Sequence, residues 1–282
     1  MENELNELSA KEQLERVEMS LRKKFKKELF SKFAKAINEY DLIQPDDKIA
    51  VCISGGKDSM LLAKLFQELK RHNKFNFELV FLVMNPGYNK ENFELIKENA
   101  DKLGVPITVF ESDIFANVEN IEKSPCYVCA RMRRGFLYSK AKELGCNKIA
   151  LGHHYDDVIE TILMGMLYGA QVQTMMPKLH STNFDGMELI RPMYLIREKD
   201  IKHWRDYNGL RFLQCACRFT ADVTDKVIES KRQEVKELIE RLCETDEQIA
   251  GNIFKSVENV NLSTIIAYKD KDGNKHNFKD DY

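Results

Sequence analysis

The sequence predicts an α/β fold: a doubly wound parallel sheet with an N-terminal helix and a C-terminal helical extension. Short, uninterrupted apolar runs are typical of parallel strands that are buried on both faces. These runs alternate along the chain with longer segments of helical periodicity, an order that favours a sheet covered by helices on both sides. The 282 residues suffice for one large domain with extensions.

The hydropathy pattern assigns each element in chain order. The predicted strands are 48–53, 77–84, 105–110, 148–152 and a fifth that begins at 189–192. The predicted helices are 11–40 (as one or two helices), 60–72, 91–103, 130–144, a helix that follows the fourth strand to 168, 227–243 and 246–257. The polar stretch 269–282 is predicted to fray. The predicted domains are 1–45 (N-terminal helical extension), 46–220 (sheet domain) and 221–282 (C-terminal helical extension and tail).

Composition sets limits on the function. Apolar residues make up 43% and charged residues 31% of the chain, an ordinary balance for a soluble protein. No apolar stretch approaches the roughly 20 residues of a membrane span, and the N-terminus lacks a signal peptide's apolar core, so we expect a cytoplasmic protein without a membrane partner. In that reducing compartment the seven cysteines are not expected to form disulfides. The net charge of −2 means that nucleic-acid binding would need a local basic face.

The segment 54–59, with the sequence Ser-Gly-Gly-Lys-Asp-Ser, follows the first strand and precedes a helix. Adjacent glycines allow backbone N–H groups to approach a phosphate, and the helix adds its positive N-terminal end. The spacing differs from that of the common Gly-x-x-x-x-Gly-Lys-Ser/Thr loop, so this is a different phosphate loop. Ligands of parallel sheets bind at the carboxyl ends of strands. The predicted ATP-binding residues are Ser54, Gly55, Gly56, Lys57, Asp58, Ser59, Met84, Gly152 and His153.

Four cysteines form a candidate metal site. Cys126 and Cys129 have the C-x-x-C spacing that places two thiolates on one metal or cluster, and Cys215 and Cys217 follow later in the chain. Three thiolates suit a cubane iron–sulfur cluster with one open iron, or a zinc with an open position. Four thiolates would instead close a structural zinc site, and buried core residues are a further alternative.

Two more segments carry candidate site residues. Asp156 and Asp157 follow two histidines at the start of a helix, where carboxylates either cap the helix or contribute to a Mg²⁺ and phosphate site. Arg131, Arg133 and Arg134 come directly after the cysteine pair, where guanidiniums bind phosphates of ATP or RNA, or cover a solvated helix face. The mixture of charges with Trp204 in 199–205 is only a weak indication of nucleic-acid binding.

Together these motifs resemble one family. The loop resembles the PP-loop of ATP pyrophosphatases, which adenylate a substrate and release pyrophosphate. Within that superfamily the chain is similar to the tRNA 2-thiocytidine synthetase group of tRNA thiolases. The resemblance covers about 33–240 and rests on the segments 51–59, 126–135, 151–157, 190–193 and 197–200.

The resemblance implies an adenine-nucleotide α-hydrolase-like, Rossmann-like sheet and a [4Fe-4S] cluster held by three cysteines. Those cysteines would be Cys126, Cys129 and Cys217, with Cys215 as the alternative third ligand, because this chain has C-x-C where the family has C-x-x-C. ATP and Mg²⁺ are the other implied cofactors. The residues with implied catalytic roles are Lys57, Asp58, Arg133, Asp156 and Asp157.

The implied reaction is an ATP-dependent sulfur transfer to tRNA. AMP is attached to the C2 oxygen of a pyrimidine, with an anticodon-loop cytidine as the favoured target, and sulfur then replaces that oxygen. The implied partners are tRNA, a sulfur donor such as a cysteine desulfurase or free sulfide, and a second copy of the chain in a homodimer. Two alternatives remain: a PP-loop ligase or amidotransferase with structural zinc, and a non-enzymatic ATP-binding iron–sulfur redox sensor.

Overall fold

The computed structural model describes residues 9–72, 75–112, 114, 125–213 and 226–281. The side chains of 125–130, 226–230 and 281 are not described. The chain divides into two compact units. The first contains residues up to 158 together with 175–230, and the second contains 159–174 together with 231–282.

A six-stranded sheet lies at the centre of the first unit. Its strands are β1 (Lys48–Ile53), β2 (Glu78–Asn85), β3 (Ile107–Glu111), β4 (Lys148–Ala150), β5 (Lys178–His180) and β6 (Glu188–Ile190). The order across the sheet is β3-β2-β1-β4-β6-β5. All neighbouring pairs are parallel except β5 with β6. The predicted α/β class and parallel sheet are therefore confirmed, while the antiparallel strand β5 is an addition.

The helices surround this sheet or belong to the second unit. They are α1 (Ala10–Arg22), α2 (Ser31–Glu39), α3 (Lys57–Arg71), α4 (Lys90–Lys102), α5 (Pro125–Glu143), α6 (Tyr155–Gly169), α7 (Glu198–Tyr207), α8 (Lys226–Thr245) and α9 (Ile249–Ser256). A π-helical turn at Lys26–Phe30 separates α1 from α2. Within the described ranges, no helix combines the length and the apolar character needed to cross a membrane.

The N-terminal helices contribute to the core of the first unit. An apolar residue recurs every fourth position from Leu21 to Ile37 and each of these side chains is buried, as the helical period requires. They pack in one cluster with β1 and α3, and the rings of Phe33 and Phe66 meet edge to face at 5.3 Å. The described residues before 46 lie within the first unit. The predicted domain boundary at residue 45 stays a prediction.

Trp204 is a core residue and not a surface residue. It lies on α7, a helix that the hydropathy pattern did not predict, and its side chain is fully buried. The indole ring stacks on Phe212 with 6.4 Å between ring centroids. Trp204 is therefore not available to a nucleic-acid base, and the aromatic part of the weak indication in 199–205 is wrong.

The second unit ends in a β-hairpin, so the prediction that 269–282 frays is wrong. Strands β7 (Ala267–Lys269) and β8 (Lys275–Asn277) pair antiparallel. The carboxylate of Asp270 accepts hydrogen bonds from the backbone N–H groups of Asp272 and Asn274, at 2.9 Å each, and pairs with His276 Nε2 at 3.0 Å. Hydrogen bonds from His276 and Asn274 lower the pKa of Asp270. Side-chain bonds thus order a polar segment that has little apolar surface to bury.

The buried position of Phe33 predicts a large effect of its truncation. Phe33→Ala removes a fully buried ring, and such a change lowers the free energy of unfolding by about 3–5 kcal/mol. Urea denaturation followed by circular dichroism measures it. The control Lys35→Ala removes a side chain that is 67% exposed on the same helix and should change stability by less than about 0.5 kcal/mol. Equal effects of the two variants would contradict the packing of α2 in the core.

Candidate functional site

The candidate site lies where the order of the strands reverses. From β1 the chain adds β2 and β3 on one side and then returns to place β4 on the other side of β1. Because β1 and β4 are parallel neighbours, with Val51 opposite Ala150, the segments that follow them emerge side by side. Ligands of doubly wound sheets bind at this kind of switch point. The phosphate loop follows β1, and the His-His-Tyr-Asp-Asp segment follows β4.

The loop between β1 and α3 needs a glycine at position 55. Gly55 has a φ of +86°, and a Cβ there would lie 2.6 Å from Ile96 Cγ1. Gly56 is the N-cap of α3, and among the described residues no side chain caps this helix start. The hydroxyl of Ser59 instead accepts from Ser54 N and from Ser54 Oγ, at 3.2 Å each, and donates to Gly56 O at 3.0 Å. The first-turn N–H groups of α3 have no carbonyl partners within the helix, which makes the loop suited to an anion.

Gly152 lets the segment after β4 approach this loop closely. A Cβ at Gly152 would lie 3.2 Å from Asp58 C and 3.2 Å from Ser59 N. Both of these atoms belong to the backbone of the first turn of α3, so they cannot move aside as a flexible side chain can. The predicted ATP-binding role of Gly152 stays a prediction, while its packing role follows from this contact.

Two carboxylates hold the side chain of Lys57. Its ammonium group lies 3.1 Å from Asp58 Oδ2 and 3.0 Å from Glu198 Oε1. Burial disfavours the charged form of Lys57, but the carboxylates of Asp58 and Glu198 outweigh burial and raise its pKa. The lysine therefore stays a cation when it lies partly out of water beside the loop.

The other carboxylate oxygen of Asp58 has no hydrogen-bond partner among the described residues. This atom, Asp58 Oδ1, is buried. It lies 3.9 Å from Nε2 of the buried His154. Since a buried carboxylate oxygen is costly without a partner, Asp58 Oδ1 is suited to an incoming cation or donor.

Asp156 and Asp157 both have structural contacts. Asp157 Oδ2 accepts from His154 N at 2.9 Å, which caps the start of α6. Asp156 accepts from Arg197 Nε at 3.0 Å and from Glu198 N at 2.6 Å, which joins α6 to the start of α7. The helix-capping alternative therefore describes Asp157 well, and the catalytic role of either carboxylate stays a prediction.

His153 is oriented by a buried arginine. Its Nδ1 accepts from Arg191 Nε at 3.2 Å. Burial and then the charge of Arg134 lower the pKa of Arg191 to about 10, so Arg191 remains charged at neutral pH. The contact leaves the hydrogen of the neutral imidazole on Nε2 of His153.

Two cavities flank the phosphate loop. One of about 400 Å³ brings together residues that the sequence analysis took from three separate motifs. The predicted residues that line it are Ser54, Asp58, Ser59, Met84, Arg133, Gly152, His153 and Asp157. The other cavity, of about 810 Å³, is lined by Lys57 and by the cations of Lys202, Arg205 and Arg211. The first cavity has the apolar walls of Met84, Leu137 and Leu151 that a nucleoside needs. The second has four cations against the two carboxylates of Asp58 and Asp206, and it has apolar walls as well.

Most of the cysteine site lies outside the described residues. Cys215 and Cys217 belong to 214–225, and of Cys126 and Cys129 only the backbone is described, in the first turn of α5. Their assignment as ligands stays a prediction. Cys52 and Cys146 are buried, and burial raises the pKa of Cys52 to about 12. Among the described residues, no three His, Cys, Asp or Glu side chains gather as a metal site.

Glu198 and Arg197 are site residues that sequence reasoning did not identify. The segment 197–200 was only one part of the family resemblance, without a role. Acidic residues in the first turn of a helix usually interact favourably with the positive end of the helix dipole, which explains Glu198 without a role in the site. Its contact with Lys57 spans 141 positions of sequence, and only the fold shows it.

Comparison with known proteins gives a family match over most of the chain. Residues 24–241 match the model of a PP-loop domain family. A tRNA-cytidine(32) 2-sulfurtransferase of Neisseria meningitidis is 38% identical over 198 residues, which are 68% of this chain and 61% of that protein. This chain thus spans less than two thirds of that relative. A tRNA-cytidine(32) 2-sulfurtransferase of Vibrio cholerae is 35% identical over 84% of this chain and 75% of that protein.

A solved structure supports the fold. The U34-tRNA thiolase NcsA from Methanococcus maripaludis, solved with its [4Fe-4S] cluster, superposes with a TM-score of 0.64. The match covers 83% of this chain and 82% of that protein at 20% sequence identity. At that identity the likeness concerns the fold, which agrees with the predicted α-hydrolase-like sheet.

The contact at Gly152 predicts a loss of nucleotide affinity on a small substitution. Gly152→Ala places a methyl group against the backbone of α3, so we expect ATP binding to weaken at least several-fold and unfolding free energy to fall by about 1–3 kcal/mol. Isothermal titration with a non-hydrolysable ATP analogue and thermal unfolding measure the two effects.

A second glycine variant is the matched control. Gly251→Ala lies in helix α9, where an added Cβ meets no atom within 4 Å, and alanine should stabilise the helix by about 0.5–1 kcal/mol. If Gly152→Ala bound the analogue as tightly as wild type, the packing of this segment against the loop would not control the site.

Proposed function

The chain belongs to the PP-loop domain family, as its sequence motifs indicated, and we propose that it is an ATP-dependent tRNA sulfurtransferase. Its substrate would be an anticodon-loop cytidine, converted to 2-thiocytidine. The single observation that carries the proposal is that one cavity collects the phosphate loop, the His-His-Tyr-Asp-Asp segment and Arg133 of the helix that begins with the cysteine pair. The two relatives named as tRNA-cytidine(32) 2-sulfurtransferases support the same choice of substrate.

ATP binding would use the loop from its backbone outward. The first-turn amides of α3 and the positive helix end face anionic oxygens, and the apolar walls of the 400 Å³ cavity accept the nucleoside. Lys57 then lies beside the polyphosphate. Because its two carboxylate partners keep it protonated, it would stabilise negative charge on the departing pyrophosphate.

A Mg²⁺ ion fits this site only with help from the nucleotide. The described residues contain no cluster of three acidic or histidine ligands, but Mg²⁺ commonly takes one or two carboxylates and completes its shell with phosphate oxygens and water. Asp58 is the residue that would hold it, since Asp58 Oδ1 is buried without a hydrogen-bond partner. When bound, the ion supplies positive charge next to the phosphates.

The cysteines fit a three-thiolate cluster by their chemistry and their helical register. Cys126, Cys129, Arg133 and Leu137 occupy positions i, i+3, i+7 and i+11 of α5, which fall on one side of a helix. Arg133 and Leu137 line the 400 Å³ cavity. That register supports Cys126 and Cys129 as two ligands of a [4Fe-4S] cluster beside the cavity. The third ligand, Cys217, is proposed from the family resemblance alone. When bound, such a cluster supplies one iron with an open position that accepts sulfide.

The reaction has two bond exchanges. The C2 oxygen of the base attacks the α-phosphorus of ATP, and pyrophosphate leaves as the bond to the β-phosphate breaks. A sulfur nucleophile then attacks C2, and AMP leaves with the former C2 oxygen. Arg133, which donates to Tyr88 Oη at 2.9 Å, would interact with the phosphate oxygens in both steps.

The partners follow from these steps. The target base must leave its stack to reach the cavity, so the substrate is a tRNA loop rather than a duplex. Sulfur would come from a cysteine desulfurase or from free sulfide in the cytoplasm. We also propose that two copies of the chain form a homodimer, which a measurement of the oligomeric state in solution tests.

Mass spectrometry of tRNA nucleosides tests the function. In cells that lack this protein, 2-thiocytidine should disappear and return on complementation with the wild-type chain. If no thionucleoside changes, the proposed substrate is wrong. If pyrophosphate is released with an amine acceptor and the protein contains zinc, the ligase alternative replaces the proposal.

Lys57 should be essential for activation of the base. Lys57→Ala removes the cation beside the loop, and the loss of one such electrostatic contact typically costs about 10²–10³ in rate. Pyrophosphate release with tRNA measures the effect in the holoenzyme. The control Lys97→Ala removes an exposed cation of α4 and should retain the wild-type rate. An active Lys57→Ala enzyme would exclude the proposed role of the lysine.

The cysteines divide into ligands and other residues. Cys126→Ser, Cys129→Ser and Cys217→Ser should each lose the cluster and thiolation, while Cys215→Ser and the control Cys243→Ser keep both. Iron and sulfide analysis after anaerobic purification measures the cluster. If Cys215→Ser loses the cluster and Cys217→Ser keeps it, the third ligand is Cys215 instead of Cys217. Full iron content in Cys126→Ser would contradict the proposed cluster site.

A further inference from the structure

We propose that a groove between α5 and the β5–β6 hairpin holds the single-stranded RNA that flanks the target base. The inference rests on the proposed function and adds to it a path for the substrate. The groove has a volume of about 870 Å³. One wall is formed by Arg131, Arg134 and Tyr138 of α5, and the other by 179–184 of the hairpin.

The arginines of α5 have no counter-charge among the described residues. Among the described residues, no carboxylate lies within 4.0 Å of Arg131, Arg133 or Arg134. Lys140, on the same helix, pairs with Glu143 at 2.7 Å. Three guanidiniums without counter-charges produce a local positive field in a chain whose net charge is −2. Such a field attracts phosphate groups.

The groove and the nucleotide cavity share a wall residue. Arg134 lines both the groove and the 400 Å³ cavity that contains the phosphate loop. A base that enters the cavity would thus have its neighbouring phosphates beside Arg134 and then Arg131. The position of the arginines suits a polynucleotide whose reacting base lies in the cavity and whose chain extends into the groove.

The hairpin wall of the groove offers groups that bind bases rather than phosphates. The ring of Phe184 stacks on Tyr138 with 5.2 Å between centroids and 13° between planes, and Phe184 stays half-buried in the groove wall. Ser181, Thr182 and Asn183 add hydroxyl and amide groups. Unpaired RNA bases stack on aromatic side chains and form hydrogen bonds along their edges. This combination favours single-stranded RNA over free ATP or an acidic peptide.

The hairpin carries two acidic residues near the groove. Asp185, beside Phe184, is exposed and has no ion pair among the described residues. Glu188 is committed to Lys148 and to Lys178, the latter at 3.5 Å, and it also lies 3.4 Å from His180 Nδ1. The three arginines of α5 therefore outnumber the one uncommitted carboxylate. His180 itself is 88% exposed and lines the groove. Protonation of His180 would only add positive charge.

Charge variants on both walls test the proposal. Arg131→Ala removes a cation that does not line the nucleotide cavity, and Thr182→Glu adds an anion at an exposed turn position. The control Lys102→Ala removes a cation at the C-terminal end of α4, which leads back to the start of β3 and so lies at the opposite edge of the sheet. Fluorescence anisotropy measures the affinity of each holoenzyme variant for a labelled anticodon stem-loop at several salt concentrations.

Each outcome decides the question. We expect Arg131→Ala to weaken stem-loop binding about fivefold and to reduce the salt slope by about one. Thr182→Glu should weaken binding at least as much, Lys102→Ala should match wild type, and the KM for ATP should be unchanged in Arg131→Ala.

Wild-type RNA affinity in both groove variants of an enzyme that still thiolates tRNA would overturn the groove but not the function. A raised KM for ATP in Arg131→Ala with unchanged RNA affinity would assign the groove to the nucleotide. If wild type binds no stem-loop at all, the proposed function itself fails.

Discussion

The close approach of Gly152 to the first turn of α3 is the constraint on which the site depends. It follows from the parallel pairing of β1 with β4 at the point where the sheet order reverses. Because a Cβ at Gly152 would lie 3.2 Å from backbone atoms of Asp58 and Ser59, only glycine lets the two segments meet without a backbone shift. The proximity of His153, His154 and Asp157 to the phosphate loop is a consequence of that contact.

The charges on the two sides of the loop are arranged differently. On the side of α7, Lys57 is held by Asp58 and Glu198, so this cation is fixed in place before any ligand arrives. On the side of α5, the arginines have no carboxylate partner among the described residues and remain available to an anion. A lysine held in one position is suited to binding the polyphosphate of ATP, which occupies the same place in every turnover. Arginines without a carboxylate partner are suited to binding a large polyanion that must associate and dissociate.

The sequence predicted the sheet and the place of the phosphate loop better than the contacts within the site. Buried strands and the Ser-Gly-Gly-Lys-Asp-Ser loop were recognisable because apolar runs and paired glycines have local causes. The contact between Glu198 and Lys57, the orphan Asp58 Oδ1 and the pairing of Asp156 with Arg197 depend on long-range packing, which no local pattern encodes. The hairpin at 267–277 was missed for a different reason: Asp270 orders it through hydrogen bonds, whereas hydropathy detects only apolar burial. The assignments of Cys126, Cys129, Cys215 and Cys217 stay predictions.

The central claim is that one site activates an oxygen and replaces it with sulfur. Isotopic labelling tests this most directly: a tRNA carrying ¹⁸O at C2 of the target cytidine is converted by the holoenzyme in a single turnover, and the AMP is analysed by mass spectrometry. We expect the ¹⁸O label to appear in AMP in a one-to-one ratio with the 2-thiocytidine formed. Unlabelled AMP, with the ¹⁸O released to water or retained in the tRNA, would contradict the central claim.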